Sequence, residues 1–215
     1  MKVPKIITIA CSKGGVGKST IALCLAVEMA KSHNVTLLDL DVQKSTVIFN
    51  RIRENAGYQP LDVKSFTDIA SFKKLLKNNQ GITIIDLGAF DSDVNRIALL
   101  AADLIITPVS DSEVEIFGLL IFNKTLEALR EIKPKLKAHV LPNRLSIRSS
   151  NIKELENQVK RHSGCLSLMT SRIGDRTNFK KMFISGKTVT EMKSGPAYKE
   201  IIALIKEIEK CLKNK

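Results

Sequence analysis

Short apolar runs alternate with longer helix-like segments along almost the whole chain, and that rhythm leaves few folds open. The runs at 5–11, 35–40, 82–86, 104–109 and 138–142 are rich in Val, Ile and Leu, with weaker ones at 61–66 and 165–173. Runs with so little polar alternation suit parallel strands covered on both faces. Between them, the apolar spacing predicts helices over 19–31, 44–56, 68–78, 93–101, 113–131, 151–162, 175–184 and 197–213. The expected fold class is α/β, a single doubly wound, mostly parallel sheet flanked by helices. No repeat, low-complexity tract or Pro/Gly/Ser linker interrupts the pattern, so residues 1–215 are expected to form one domain.

Composition excludes several classes. At 44% hydrophobic and 26% charged residues the chain is neither disordered nor fibrous. No apolar run reaches the roughly 18–20 residues of a bilayer span. The N-terminal stretch runs straight into glycines and lysines without a small-residue cleavage site, so it reads as a strand and not as a signal peptide. Cys11, Cys24, Cys165 and Cys211 form no CxxC or Cys/His cluster, which argues against zinc or a disulfide framework and for a reducing cytoplasm. Residues 1–119 carry 13 Lys/Arg and 13 Asp/Glu, whereas 120–215 carry 21 and 9. The net charge of +12 therefore lies in the basic C-terminal portion, 120–215. It suggests either a polyanionic partner, nucleic acid or anionic membrane, or a solvated lysine-rich surface.

Residues 13–20 read Lys-Gly-Gly-Val-Gly-Lys-Ser-Thr between the first strand and the first helix. Small residues there let backbone N–H groups converge on phosphate oxygens at a helix N-terminus, the context a P-loop requires. Gly14, Gly15, Val16 and Gly17 form the cradle, Lys18 would reach the β/γ-phosphates, the Ser19 hydroxyl would ligate Mg²⁺, and Thr20 is expected at the α-phosphate. Asp39, Asp41 and Asp86 stand at the carboxyl ends of predicted strands, where ligands bind in open α/β sheets.

Ser12 stands where the usual P-loop pattern has glycine, and Lys13 follows it. In this the segment resembles the deviant Walker A signature KGGxGK[ST] of the ParA/MinD P-loop family. The resemblance implies ATP and Mg²⁺ as ligands, slow ATP hydrolysis, and a homodimer formed with ATP. In that dimer Lys13 would cross the interface to the nucleotide of the opposite subunit, offsetting charge on the leaving phosphates. VTLLDLDVQKS resembles the family's LLxDxDPQ motif except that Val42 replaces proline. By that match Asp41 positions the attacking water and Asp39 supports the magnesium shell or the interface, while Asp86 is the Walker B aspartate acting through water. Leu87-Gly88-Ala89 departs from the family's frequent Thr-Pro-Pro. Asn143-Arg144 resembles the family's base-binding step, in which the asparagine amide reads the adenine edge, and Pro108 resembles its proline beside the dimer face.

Within that family the chain is similar to the ParA-type plasmid partition ATPases. The segment 171–191 resembles their C-terminal region, and by that match Arg172, Arg176, Lys180, Lys181 and Lys187 would supply sequence-independent DNA contacts. The P-loop begins at residue 13, so the expectation is a protein without an N-terminal helix-turn-helix, similar to the small plasmid class. The resemblance thus implies an ATP-dependent dimer that binds non-specific DNA, is stimulated by a centromere-binding partition protein, and works in the cytoplasm on the nucleoid. The alternative is a MinD-like membrane-positioning ATPase. The last helix would place Ile201, Ile202, Ile205, Ile208 and Leu212 on one face, as any packed helix does. It lacks the Phe or Trp of an interfacial anchor, so no stable membrane insertion is expected. A dethiobiotin-synthetase-like ligase fits Lys13 and the DxDxQ step less well. Nitrogenase-like reductases would need paired cluster cysteines, and arsenite pumps a second P-loop.

Overall fold

A computed structural model describes residues 5–66, 68–89, 92–146 and 152–213. Seven parallel strands form one sheet among these residues: β1 (Lys5–Ile9), β2 (Val35–Leu40), β3 (Asp62–Lys64), β4 (Ile82–Leu87), β5 (Leu104–Val109), β6 (Ala138–Pro142) and β7 (Leu166–Leu168). The strand order is β3-β2-β4-β1-β5-β6-β7. Eight α-helices flank it: α1 (Lys18–Met29), α2 (Ser45–Asn55), α3 (Ile69–Lys77), α4 (Asp93–Ala101), α5 (Glu113–Leu129), α6 (Ile152–Arg161), α7 (Thr177–Ser185) and α8 (Gly195–Lys213). The α/β fold class read from the sequence is the one observed. The start of the expected 151–162 helix, residue 151, lies outside the described residues.

Every residue of β4 and β5 is buried, as strands covered on both faces require. Successive side chains feed opposite cores. Leu37 and Ile84 pack with α1 and with Ile201, Leu204, Ile205 and Ile208 of α8, whereas Leu38 and Ile85 pack with apolar residues of α4 and α5. The apolar stripe of α8 therefore belongs to the core. α8 starts two residues earlier than expected, with Pro196 in its first turn, where the missing N–H costs nothing. The weak run at 165–173 forms a strand over only three residues.

Helix starts differ in a way that matters for the site. Asp68, Ser92 and Ser112 cap α3, α4 and α5 by accepting from backbone N–H groups three residues on. α1 and α2 follow Gly17 and Lys44, both left-handed and neither giving a side-chain cap. Both helices begin at the carboxyl edge of the sheet, after β1 and β2, near the switch in strand order where α/β folds bind ligands.

The candidate nucleotide site at the carboxyl edge of the sheet

Residues 10–17 leave β1 and turn sharply into α1. Gly15 and Gly17 have φ of +78° and +93°, conformations that side chains rarely adopt. Gly17 is doubly constrained, since a Cβ there would lie 2.6 Å from Asn143 Nδ2. Two struts from the end of β6 hold the loop: Asn143 Nδ2 donates to Val16 O at 2.7 Å, and Arg144 Nη1 donates to Gly15 O at 2.6 Å. Asn143 is buried, and its amide donor is engaged by the loop backbone. In this geometry the amide braces the loop.

Lys18 is also buried, and its ammonium donates to Lys13 O at 3.0 Å and lies 3.7 Å from Cys11 Sγ. Burial pushes the Cys11 thiol up, against the pull of that ammonium. Lys13 is half-buried, with its stem against α5: a Cβ on Gly118 would fall 2.6 Å from Lys13 Cγ. Ser12 Oγ donates to Gly118 O beside it. Gly118, which the sequence reading passed over, is thus what lets the lysine-bearing loop pack on α5.

Asp39 and Asp86 are register partners on adjacent strands, and both are fully buried. Their surroundings differ sharply. Asp39 Oδ2 accepts from Thr46 Oγ1 at 2.7 Å, Thr46 N at 3.1 Å and Val47 N at 3.2 Å, while Oδ1 accepts from Asp41 N at 3.1 Å. It is the missing cap of α2. Its oxygens are thus engaged by the α2 start and by the Asp41 backbone. Asp41 is half-buried, accepts from Gln43 N at 2.9 Å, and hangs on Asp39 through its own N–H.

Neither oxygen of Asp86 has a hydrogen-bond partner. Burial, reinforced by Asp39, pushes its carboxyl up to about 7, with the nearby Ser19 hydroxyl and Lys18 pulling the other way. A buried, orphaned carboxylate beside a P-loop hydroxyl and ammonium suits a hard divalent cation. Ser19 and Asp86 fit Mg²⁺ as a donor set.

A cavity of about 270 Å³ lies beside the loop, bounded by Gly15, Thr20, Arg144, Ile173, Phe179 and Phe183. Its apolar wall comes from α7, the helix that also carries Lys180 and Lys181 of the expected DNA contacts. Phe179 and Phe183, four residues apart, were the overlooked signal. Lys180 lines this cavity and pairs with Asp175 at 3.3 Å. Arg172 pairs with Glu156 at 2.8 Å, and Arg176 makes a forked contact with Glu200. Lys187 lies over the Tyr58 ring at 5.9 Å, and Lys181 is exposed. Three of the five cations expected at DNA thus have carboxylate partners within the chain. A larger, polar depression of about 450 Å³ opens at the opposite end of the sheet, far from the loop, around Thr36, Asp62 and Lys74.

A family description, the CobQ/CobB/MinD/ParA nucleotide binding domain, matches residues 7–189. The Protein ParA of Rhizobium radiobacter is 34% identical over 110 residues, a match spanning 48% of each chain. The Maintenance of carboxysome distribution protein A of Halothiobacillus neapolitanus is 23% identical over 208 residues, 94% of this chain and 95% of that one. A putative plasmid partition protein from Borrelia burgdorferi bound to AMPPNP superposes with a TM-score of 0.69 at 21% identity, covering 99% of both chains, which shows a shared fold.

Two expectations follow from the paired aspartates. Asp39→Ala should cost roughly 2–4 kcal/mol by uncapping α2, whereas Asp41→Ala should leave the melting temperature within about 2 °C of the parent and abolish turnover. Thermal denaturation and phosphate release separate the two. For Asp86, the folded carboxyl holds its proton up to about pH 7 and the unfolded one releases it near the ordinary carboxylate value. Its contribution to stability is thus full in acid and lost as pH rises through 7. Asp86→Asn should raise the melting temperature at pH 8, by about 2–4 °C per kcal/mol recovered, and weaken Mg²⁺-dependent nucleotide binding by about tenfold or more.

Proposed function

The chain belongs to the CobQ/CobB/MinD/ParA nucleotide-binding family, and from that premise we propose that it is an ATP-hydrolysing switch of the ParA type that segregates DNA such as a plasmid. The observation that carries this reading is the composite edge formed by the P-loop, the orphaned Asp86 and the Asp41 loop, with Lys13 laid against α5.

In this reading the 10–17 loop and the α1 N-terminus receive the phosphates, and Lys18 exchanges its contact with Lys13 O for phosphate oxygens. Bound Mg²⁺, held by Ser19 and, through water, Asp86, would neutralise phosphate charge. Asp41 orients the attacking water, and the cavity beside Phe179 and Phe183 takes the base. The mobile-charge role falls to Lys13, acting on the nucleotide of a second copy. A homodimer is supported by the apolar residues beside it on α5: Val114, Phe117 and Ile121 are 65%, 62% and 43% exposed at helical spacing. Dimerisation would then gate binding of non-specific DNA, with Lys181 and Lys187 the phosphate contacts best placed to serve, and a centromere-binding partition protein would stimulate hydrolysis. The product would act in the cytoplasm on the nucleoid. Because the apolar stripe of α8 is buried, that helix offers no membrane-binding face, which favours this reading over a MinD-like one.

Sedimentation with ATP and Mg²⁺ tests it. Lys13→Ala should bind ATP nearly as the parent does yet stay monomeric and inactive, whereas Lys18→Ala should lose nucleotide affinity itself. A Lys13→Ala protein that dimerises and turns over normally sinks the assignment. The parent with ATP, and not with ADP, should bind two unrelated duplexes equally, with log affinity falling by about 0.9 per contacted phosphate against log salt. Preference for anionic vesicles over DNA would move the membrane reading ahead.

A further inference from the structure

The C-terminal half of α2 is locked to the segment after α7 by a buried ion pair that the site described above does not use. The Arg53 guanidinium donates to Glu191 Oε1 and Oε2, each at 2.8 Å, to Gln59 O at 2.7 Å and to Gly186 O at 3.1 Å, and it stacks over Tyr58 at 5.4 Å. Only 5% of Arg53 is exposed. Glu191 Oε2 also accepts from Thr188 N at 2.8 Å and Thr188 Oγ1 at 3.0 Å. A buried pair of this kind rarely adds stability over an apolar filling, so fixed geometry is its more useful product.

What it fixes is the seat of α7 on α2. Gly186, with φ of +66°, ends α7 so tightly that a Cβ there would lie 2.7 Å from Arg53 Cα and 3.0 Å from Ile52 O. One turn earlier, Phe49 of α2 meets Phe183 of α7 edge to face, with centroids 5.5 Å apart. Phe183 also lines the cavity beside the P-loop. At its other end α2 is gripped by Asp39, whose Oδ1 holds the backbone of Asp41. An unbroken chain of packed groups thus runs from the cavity wall through Phe183, Phe49, Arg53 and α2 to the Asp41 loop.

Resting on the nucleotide-hydrolysis reading, we infer that Arg53 and Glu191 are positioning residues that make the placement of Asp41 depend on a base seated against Phe179 and Phe183. The pair touches neither phosphate nor base; it transmits the position of α7 to the start of α2. ATP should accordingly be hydrolysed faster than a substrate that fills only the P-loop.

The experiment compares turnover of ATP and of inorganic triphosphate, both with Mg²⁺, in the parent, Arg53→Met and Arg53→Lys proteins. The parent should show a higher kcat for ATP. In Arg53→Met the ratio of the two kcat values should fall by about 3- to 30-fold, the range a coupling of this kind supports, while KM for ATP changes by less. Arg53→Lys, which keeps the charge but not the fork, should recover part of the ratio. A merely structural pair would lower both rates together and leave the ratio as in the parent, and that result overturns the inference. If Arg53→Met does not fold, Phe49→Leu breaks the same joint and should lower the same ratio; an unchanged ratio there also overturns it. A parent that hydrolyses neither compound removes the underlying reading, a failure distinct from an active parent whose ratio resists these changes.

Discussion

The loop between β1 and α1 must keep its backbone turned inward at a helix start that carries no side-chain cap, and much of the surrounding structure serves that requirement. Two glycines take the left-handed turns, Asn143 and Arg144 reach across from β6 to hold the Val16 and Gly15 carbonyls, and Gly118 clears a bed for Lys13 on α5. The strand order makes this possible. β1 lies between β4 and β5, so the loop emerges at the middle of the sheet with Asp86 to one side and the β6 exit to the other. A one-strand rearrangement would separate the brace from the loop it supports.

Electrostatics divides the labour between two carboxylates that sit in register. Both Asp39 and Asp86 are buried, and Asp39 raises the cost of charging Asp86. Asp39 is relieved by four hydrogen bonds from the α2 start and from Asp41. Neither oxygen of Asp86 has such a partner, and only the nearby Ser19 hydroxyl and Lys18 offset the burial of its charge. The same residue type at the same level of the sheet therefore caps a helix from one strand and stays without a hydrogen-bond partner on the next.

The fold was readable because strands buried on both faces advertise themselves as unbroken Val/Ile/Leu runs, and the β4 and β5 runs match the observed strands within one residue. The P-loop was readable for a similar reason, since its backbone shape demands particular small residues. The α2 cap made by Asp39 was not legible, because a carboxylate at a strand end looks the same whether a metal or a helix N-terminus faces it. The Asn143 brace was not legible, because an amide serves a base and a carbonyl equally well. The ion pairs within the basic cluster were hidden for a different reason. Counting charge along the chain ignores partners that folding brings from 16 and 24 residues away, as it does for Arg172 with Glu156 and Arg176 with Glu200. Arg53 and Glu191, 138 residues apart, carried no sequence signal of each other.

On the proposed function, the ligand lies at one edge of the sheet, and the P-loop, the Asp41 loop and α7 respond to it as one unit. Hydrogen exchange read by mass spectrometry, with and without ATP and Mg²⁺, tests that claim most directly. Slowed exchange should appear together in the P-loop and α1 start, in 39–47, at 143–145 and through α7, with little change around the far depression at 71–83. Protection confined to the P-loop, or centred on that far depression, would contradict it.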